Sequence, residues 1–461
     1  MLYKTEEELL YKAKQAEGKT FGEIDKSGRI KNKKAKGQLG QIIEESFFNY
    51  QINSKSEADF ANLEIELKVT PIKKNKNGTL SAKERLVLNI INYQKEVLTT
   101  FETSSFWKKN KKPLILFYEW IPKSHRADYK LIKAHLLQYP EEDLEIIKQD
   151  WEIIVGKIKE GRAHELSEAD TNYLAACTKG ANKNSLRTQP FSDIEAMQRA
   201  YSLKQSYMTA LVRKEIKQED LVRFANPGEL RKKSLFELLS QRFTPYIGNT
   251  LEEIAKEKGL QINSKSKNFL QSFVSELLGI RGTKLNQIEE FAKANIEIKT
   301  IRLEPDGLPK EHMSFRNIDF YDWANQDWED SWLKSYFEET KFLFVVFHYK
   351  ETKAENPNRQ LYFNGVTLWN MPFQDINESL QEFWKTVQSK IKDGIELNPI
   401  NQKNRIIVKN NLPKPGYNGI CHIRPKARDG KDKVKLPDGR FITKQAFWLD
   451  RSYIGKIVKK L

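Results

Sequence analysis

One ten-residue pattern occurs twice in this chain, and that repeat constrains the fold more than any other feature. Asp59-Phe-Ala-Asn-Leu-Glu-Ile-Glu66-Leu-Lys68 returns as Glu290-Phe-Ala-Lys-Ala-Asn-Ile-Glu297-Ile-Lys299, with acid, Phe-Ala, acid and lysine in the same register 231 positions later. Further matches follow in the same order. Trp151, Lys157, Lys159 and Gly161 are echoed by Trp384, Lys390, Lys392 and Gly394 at an offset of 233. Both stretches are helical in period and close on a glycine suited to a helix C-terminus. Leu203, Ser206, Tyr207 and Val212 answer Leu449, Ser452, Tyr453 and Val458 at 246, and the basic loops before them, centred on Lys179 and Lys426, stand 247 apart. Offsets that grow while order is kept describe two copies of one domain that differ by loop insertions. With 461 residues, each copy has roughly 220, an ordinary domain size. The expected division is a first domain over 1–225, a linker over 226–245 and a second domain over 246–461. The linker is placed where Asn226-Pro-Gly228, Arg231-Lys-Lys233 and Pro245 interrupt the pattern.

The charge balance indicates a partner class. Seventy-eight Lys and Arg against 62 Asp and Glu give a formal +16, which suits a polyanion such as nucleic acid or an anionic membrane surface. The chain opens on charged residues, and no apolar run approaches the ~20 residues a membrane span needs, so a cytoplasmic protein with no membrane partner is expected. Cys177 and Cys421 lie far apart, and six histidines provide no Cys/His zinc spacing. Any catalytic metal is therefore expected on oxygen ligands.

Within the first copy the coarse reading is two helices, the second over 40–48, then strands over 63–69, 85–92 and 113–118, and a long helix over Glu141–Lys159. This is a mixed α/β domain with a central sheet flanked by helices. Leu63, Ile65, Leu67 and Val69 alternate with Glu64, Glu66 and Lys68, the period of a strand with one buried face, so Glu66 and Lys68 point together away from the core. Asp59, just upstream, can converge on Glu66 to hold Mg²⁺, a hard cation that takes oxygen ligands. Such an ion would polarise a scissile phosphate, stabilise the leaving alkoxide and acidify a water, and Lys68 would orient that water or a phosphoryl oxygen. Glu-x-Lys also occurs at Glu215/Lys217, Glu339/Lys341 and Glu351/Lys353, so the pair alone is not diagnostic. The upstream Asp and the amphipathic strand single it out.

Gly37-Gln-Leu-Gly40-Gln-Ile-Ile-Glu44, Ser56-Glu-Ala-Asp59-Phe, Ile65-Glu66-Leu-Lys68 and Glu102-Thr-Ser-Ser105, in this order, resemble the MutH mismatch-repair nicking endonucleases and their restriction-enzyme relatives. The two-copy length, Lys83-Glu-Arg-Leu-Val-Leu-Asn-Ile-Ile-Asn-Tyr93, Thr178-Lys-Gly-Ala-Asn182 and Tyr207-Met-Thr look most like the GATC-cutting type II restriction endonucleases of the Sau-three-A type. The resemblance covers essentially the whole chain and places it in the PD-(D/E)XK nuclease superfamily. It implies two tandem MutH-like domains, with Asp59 and Glu66 as metal ligands and Lys68 as the catalytic lysine. Glu44 matches a helical acid of the pattern, with Glu45 as the alternative. Lys109 matches a further active-site lysine, within a residue's ambiguity in the run Lys108-Lys109-Asn-Lys111-Lys112. Ala58 stands where the superfamily has its proline, a position that is not a ligand.

For DNA reading, the resemblance implies a major-groove loop at Cys177-Thr178-Lys179-Gly180-Ala-Asn182, where lysine can donate to guanine and glycine allows close approach to a base edge. Ser202 is expected beside it, and Lys73 and Lys74 on the DNA backbone. In the second copy the matching loop is Arg424-Pro425-Lys426, closer to the MutH pattern. Glu290 replaces Asp59 there, and Glu338-Glu339 replace the second lysine, so the copy is expected to bind DNA as an allosteric effector without cutting. The implied function is Mg²⁺-dependent hydrolysis of double-stranded DNA at GATC in defence against foreign DNA. One cutting centre per chain implies self-association on DNA, while a cognate DNA methyltransferase would act on the same site. The alternatives are a MutH-type repair nickase and a non-enzymatic two-domain DNA-binding protein.

Overall fold

A computed structural model describes residues 3–461 except 33–36, 53–56, 76, 180–184, 261–268, 281–283, 403–404 and 460. The chain divides into two compact units, Met1–Leu238 with Thr283–Asn295, and Leu239–Gly282 with Ile296–Leu461. The segment 226–245 carries two helices, Pro227–Leu230 and Leu235–Phe243.

In the first unit the strands are β1 (Ile65–Lys74), β2 (Leu80–Ala82), β3 (Leu86–Ile90), β4 (Lys112–Glu119), β5 (Leu131–Leu136), β6 (Leu174–Thr178), β7 (Leu186–Gln189), β8 (Ser192–Met197) and β9 (Arg199–Leu203). A mixed sheet has the order β2-β1-β4-β5, with β1 and β4 parallel and the outer pairs antiparallel. A parallel pair needs a long crossover, and residues 75–111 supply it with β2, β3 and two short helices, Tyr93–Glu96 and Ser105–Asn110. The run Pro113 to Phe117 in β4 is buried on both faces, as a continuous apolar segment requires. A second, antiparallel sheet has the order β3-β9-β6, and β7 and β8 form a hairpin. Beneath β1 and β4, Phe21, Ile42, Phe48, Phe60, Leu114 and Leu116 pack with Ile65 and Leu67 into one core.

The second unit repeats the plan with β10 (Ile296–Leu303), β11 (Met313–Asn317), β12 (Lys341–Tyr349), β13 (Leu361–Trp369), β14 (Leu397–Gln402), β15 (Arg405–Asn410), β16 (Cys421–Pro425), β17 (Lys433–Lys435), β18 (Phe441–Thr443) and β19 (Gln445–Leu449). Its sheets are β10-β12-β13 and β11-β19-β16, with hairpins β14-β15 and β17-β18. Equivalence extends to register: Ile65 faces Lys112 across the parallel pair, and Ile296 faces Lys341. A left-handed residue precedes each leading strand, Glu64 at φ 56° and Asn295 at φ 54°. The loops after β6 and β16 start alike, with Lys179 N–H donating to Gln198 O and Lys426 N–H to Lys444 O, both at 2.9 Å. Where the first copy has two 3₁₀ turns, Ala163–Glu165 and Glu168–Asp170, the second has the β14-β15 hairpin.

Local expectations fare unevenly. Glu141–Lys159 is helical over its full expected length, burying Ile146, Ile147, Ile154, Val155 and Ile158 on one stripe. The helix expected over 40–48 is an α-helix, Gln38–Ile42, that passes into a π turn, Ile43–Phe47. The strand expected from Leu63 begins at Ile65, because Ala61–Leu63 form a 3₁₀ turn that ends on left-handed Glu64. The expectation of one buried face is corrected: Ile65 and Leu67 are buried, and Glu66 is also only 3% exposed. Alternation shows that two faces differ in polarity, and burial of the polar face depends on what the rest of the unit lays over it. Among the described residues no helix is long and apolar enough to cross a membrane.

Candidate active site

Five side chains singled out from the sequence gather around the N-terminal half of β1. The 3₁₀ turn Ala61–Leu63 folds the chain back, so Phe60 and Ile65 exchange backbone hydrogen bonds at 2.9 and 3.3 Å and Asp59 returns beside Glu66. Asp59 N–H donates to Glu66 Oε2 at 3.2 Å, and Leu67 N–H donates to Asp59 Oδ2 at 2.9 Å. Lys68, two residues on and on the same face, donates from Nζ to Glu66 Oε1 at 2.8 Å. Lys109, on the helix Ser105–Asn110, brings its Nζ to 3.6 Å from the same oxygen. Glu44 enters from the π turn, and the charge of Glu66 opposes its ionisation.

Placement distinguishes the neighbouring lysines and the neighbouring acids by what they face. Lys109 faces Glu66, whereas Lys108 is exposed and Lys111 pairs with Glu64 at 2.9 Å. Glu45 is bound to Arg29 at 2.6 Å, leaving Glu44 as the acid that senses Glu66, Lys68 and Lys109. Burial, then the neighbouring Glu66 charge, pushes the Asp59 carboxyl up to about 7, against the opposing pull of the Leu67 amide and Lys68. Burial and Glu66 also raise the Glu44 carboxyl above the usual carboxylate range. Three carboxyl groups and two ammonium groups thus share one partly buried site, in which Asp59 and Glu44 resist ionisation beside Glu66.

Comparison with known proteins identifies relatives of the chain. The family model for the DNA mismatch repair enzyme MutH matches the chain twice, over residues 48–150 and 282–382. The DNA mismatch repair protein MutH of Shewanella woodyi is 33% identical over 192 residues, covering 40% of this chain and 79% of that protein. For its Escherichia coli O6:K15:H31 counterpart the identity is 28% over 221 residues, with 45% and 92% covered. The MutH proteins thus match about one copy. The type II restriction enzyme Sau3AI of Staphylococcus aureus is 38% identical over 500 aligned residues, spanning 100% of this chain and 99% of that enzyme. The chain belongs to the Sau3AI–MutH family and is a type II restriction endonuclease. Enzymes of this family act on double-stranded DNA and are generally dependent on a divalent metal.

The second copy of this restriction endonuclease has a different local chemistry. Glu297 and Lys299 remain paired, 3.2 Å apart, but the Glu297 side chain is 40% exposed where that of Glu66 is 4%. Tyr336 O–H donates to Glu297 Oε2 at 2.8 Å, and Glu338, at the position matching Lys109, lies 3.7 Å from Lys334. Glu290, the counterpart of Asp59, sits on the helix Glu289–Ala294 within the first unit. It is fully buried there, accepts from the amides of Phe224 and Ala225 at 3.3 and 3.2 Å, and has a carboxyl pushed by burial up to about 7. Tyr336 and the Glu290 cradle have no short-range sequence signal, because their partners lie 39 and about 65 residues away.

The expected DNA-contacting residues divide into surface and interior. Thr178 and Lys179 are exposed at the end of β6, while Gly180 lies outside the described residues. Lys73 is half-buried and Lys74 exposed at the end of β1, and Arg424, Pro425 and Lys426 are exposed where β16 ends. Ser202 is corrected: it is fully buried in β9 with its Oγ 3.5 Å from Ala175 O, so in this fold it offers nothing to DNA. All five residues of β9 are buried, so both faces of this central strand are covered. Although the residue as a whole is exposed, Lys426 turns its ammonium back to the Phe315 carbonyl at 2.6 Å, where partial burial and the nearby Lys299 hold its pKa below the ordinary lysine value.

Proposed function

We propose that the first copy hydrolyses phosphodiester bonds of double-stranded DNA at GATC with Mg²⁺, in defence against foreign DNA, and that the second copy holds DNA without cutting. The observation that carries this reading is the packing of Asp59 against Glu66, with Lys68 on the same face of β1. The donor set fits a hard divalent cation: two adjoining carboxylates, one buried and one with its carboxyl pushed up to about 7, form a pair that a dication would relieve. Asp59 and Glu66 would hold the ion, which when bound supplies Lewis-acid polarisation of the phosphate and a more acidic water. Asp59 keeps Oδ2 on the Leu67 amide, which fixes the carboxylate plane before substrate arrives. Lys68, its side chain only 16% exposed, orients the attacking water or a phosphoryl oxygen and neutralises charge that grows there. Lys109 adds a second positive charge on the same side, and Glu44 would take a proton from the attacking water.

Several features support a non-cutting second copy. Glu290 is committed to backbone amides, Glu297 is bonded by Tyr336, and an acid stands in place of Lys109, reversing the sign of the local field. With one cutting centre per chain, two chains would meet on the two-fold symmetric site, each cutting one strand. Plasmids of defined methylation, digested with Mg²⁺ and sequenced at their ends, test the proposal. Both strands should be cut at GATC and nowhere else; ends at another sequence, or persistent single-strand nicks, would overturn it.

A further inference from the structure

The helix Ser105–Asn110, which brings Lys109 to Glu66, has six residues, too few to hold its own place, so its position is set by what grips it. Asn89 of β3 grips both ends. Its Nδ2 donates to Ser105 Oγ at 3.0 Å, at the first helical residue, and its Oδ1 accepts from Asn110 Nδ2 at 2.8 Å, at the last. Ser105 Oγ donates in turn to Glu96 Oε2 at 2.7 Å. Glu96 is 1% exposed, and its Oε1 accepts from the Tyr201 hydroxyl in β9 at 3.1 Å and from Trp151 Nε1 in the helix Glu141–Lys159 at 3.3 Å.

These hydrogen bonds can run in only one direction. Asn110 Nδ2 also donates to the Phe106 carbonyl at 3.0 Å, and a carbonyl only accepts, so the Asn110 amide has one orientation. Asn89 must therefore turn its oxygen to Asn110 and its Nδ2 to Ser105, whose single proton goes to Glu96. The strand is irregular at this point: Leu88 and Asn89 together stand opposite Tyr201, between the pairs Val87/Ser202 and Ile90/Ala200. A bulge of this kind re-aims a side chain, here toward the helix of Lys109.

The second copy keeps the bulge and loses the polar groups. Phe315 and Arg316 lie between the pairs Ser314/Trp448 and Asn317/Ala446, which puts Arg316 at the place of Asn89 and Phe447, without a hydroxyl, at that of Tyr201. Glu96 is the fourth residue of a helix capped by Asn92, and the fourth residue of the helix capped by Asp319 is Trp323. Trp323 stacks on Trp384, the counterpart of Trp151, and the Arg316 guanidinium lies over Trp332 at 4.1 Å. The run of hydrogen bonds thus accompanies Lys109, and aromatic packing replaces it in the copy read as non-cutting. We infer that Asn89 and Glu96 are positioning residues for DNA cleavage, holding the helix Ser105–Asn110 so that Lys109 stands at the Glu66 carboxylate. This rests on the reading of Lys109 as an active-site lysine. A displacement of about an ångström in such a group can slow a reaction on the order of a hundredfold.

The test measures kcat and KM of the full chain on plasmid DNA at saturating Mg²⁺ for Lys109→Ala, Asn89→Ala and the double variant. Lys109→Ala should lower kcat about a hundredfold, and Asn89→Ala about tenfold with KM changed less than about twofold. In the Lys109→Ala background, Asn89→Ala should cost less than about twofold further, because no ammonium is left to misplace. A purely structural role would give the same loss in both backgrounds. Glu96→Gln, which turns an N–H toward Ser105 in place of an acceptor, should follow Asn89→Ala in both. If Asn89→Ala disturbs the fold, Ser105→Ala takes its place with the same expected losses, and Ser105→Thr, which keeps the hydroxyl, should restore the parent rate. A fall in kcat for Lys109→Ala, with no loss or a fully additive loss in Asn89→Ala, overturns the positioning role alone. An unchanged kcat in Lys109→Ala overturns the reading of Lys109 and the positioning role with it.

Discussion

At the residue scale the first copy turns on Glu66, whose two oxygens collect Lys68, Lys109 and the Asp59 amide. Lys68→Ala should reduce cleavage by about 10²–10⁴-fold, in the range for loss of a positioned proton-transfer or charge-stabilising group, while gel-shift binding to the specific site persists. Asp59 predicts the pH dependence. Its carboxyl is raised to about 7, mainly by burial and then by Glu66, so below that value a proton competes with the metal. At limiting Mg²⁺, cleavage should climb about tenfold per pH unit and level off above about pH 7, whereas saturating Mg²⁺ should move the rise to lower pH. The same shift has a sign for stability. An acid with a raised native pKa favours the fold at low pH, and that contribution is lost as pH rises through about 7, so metal-free protein should melt lower at pH 8 than at pH 6. A melting midpoint independent of pH over this interval in metal-free protein would contradict the assigned environment of Asp59.

At the element scale, periodicity located what it physically encodes. The apolar stripe of Glu141–Lys159 and the continuous run of β4 were legible because burial repeats with the geometry of helix and strand. The junction after the long helix was legible as a glycine and explicable only in three dimensions. Gly161 has φ +71°, and a Cβ there would stand 2.6 Å from the backbone oxygen of Phe191, at the turn of the β7-β8 hairpin. Gly18 has φ +84° with nothing within 4 Å. Gly161→Ala should therefore destabilise the protein by about 2–4 kcal/mol and Gly18→Ala by only about 1, as read from urea denaturation of the two variants. Equal effects would mean that the hairpin moves aside freely. The 3₁₀ turn before β1 and the π turn carrying Glu44 were not legible, since a shift of one hydrogen-bond partner leaves the apolar pattern almost unchanged.

At the scale of the whole molecule, duplication provides two nuclease frames with different residues around the same strand. Glu297→Gln should leave the rate of cutting within about twofold of the parent, in contrast to the collapse expected from Lys68→Ala, when both are measured on a single-site plasmid. Arg424→Ala should weaken DNA binding, and affinity of the parent should fall steeply with salt as phosphate contacts release counterions. A large loss of cutting in Glu297→Gln would assign catalysis to the second copy as well.

By itself the sequence determined the duplication, the family, the acid, acid, lysine pattern and the order of the main elements, because each is written in local spacing that survives divergence. The tertiary structure decided which of two neighbouring acids and which lysine face Glu66, and that Ser202 is interior. It also showed that Glu290 is spent on backbone amides. These outcomes depend on residues tens of positions apart, brought together by strand pairing and by the cost of burying unpaired charge. Local periodicity carries no record of either.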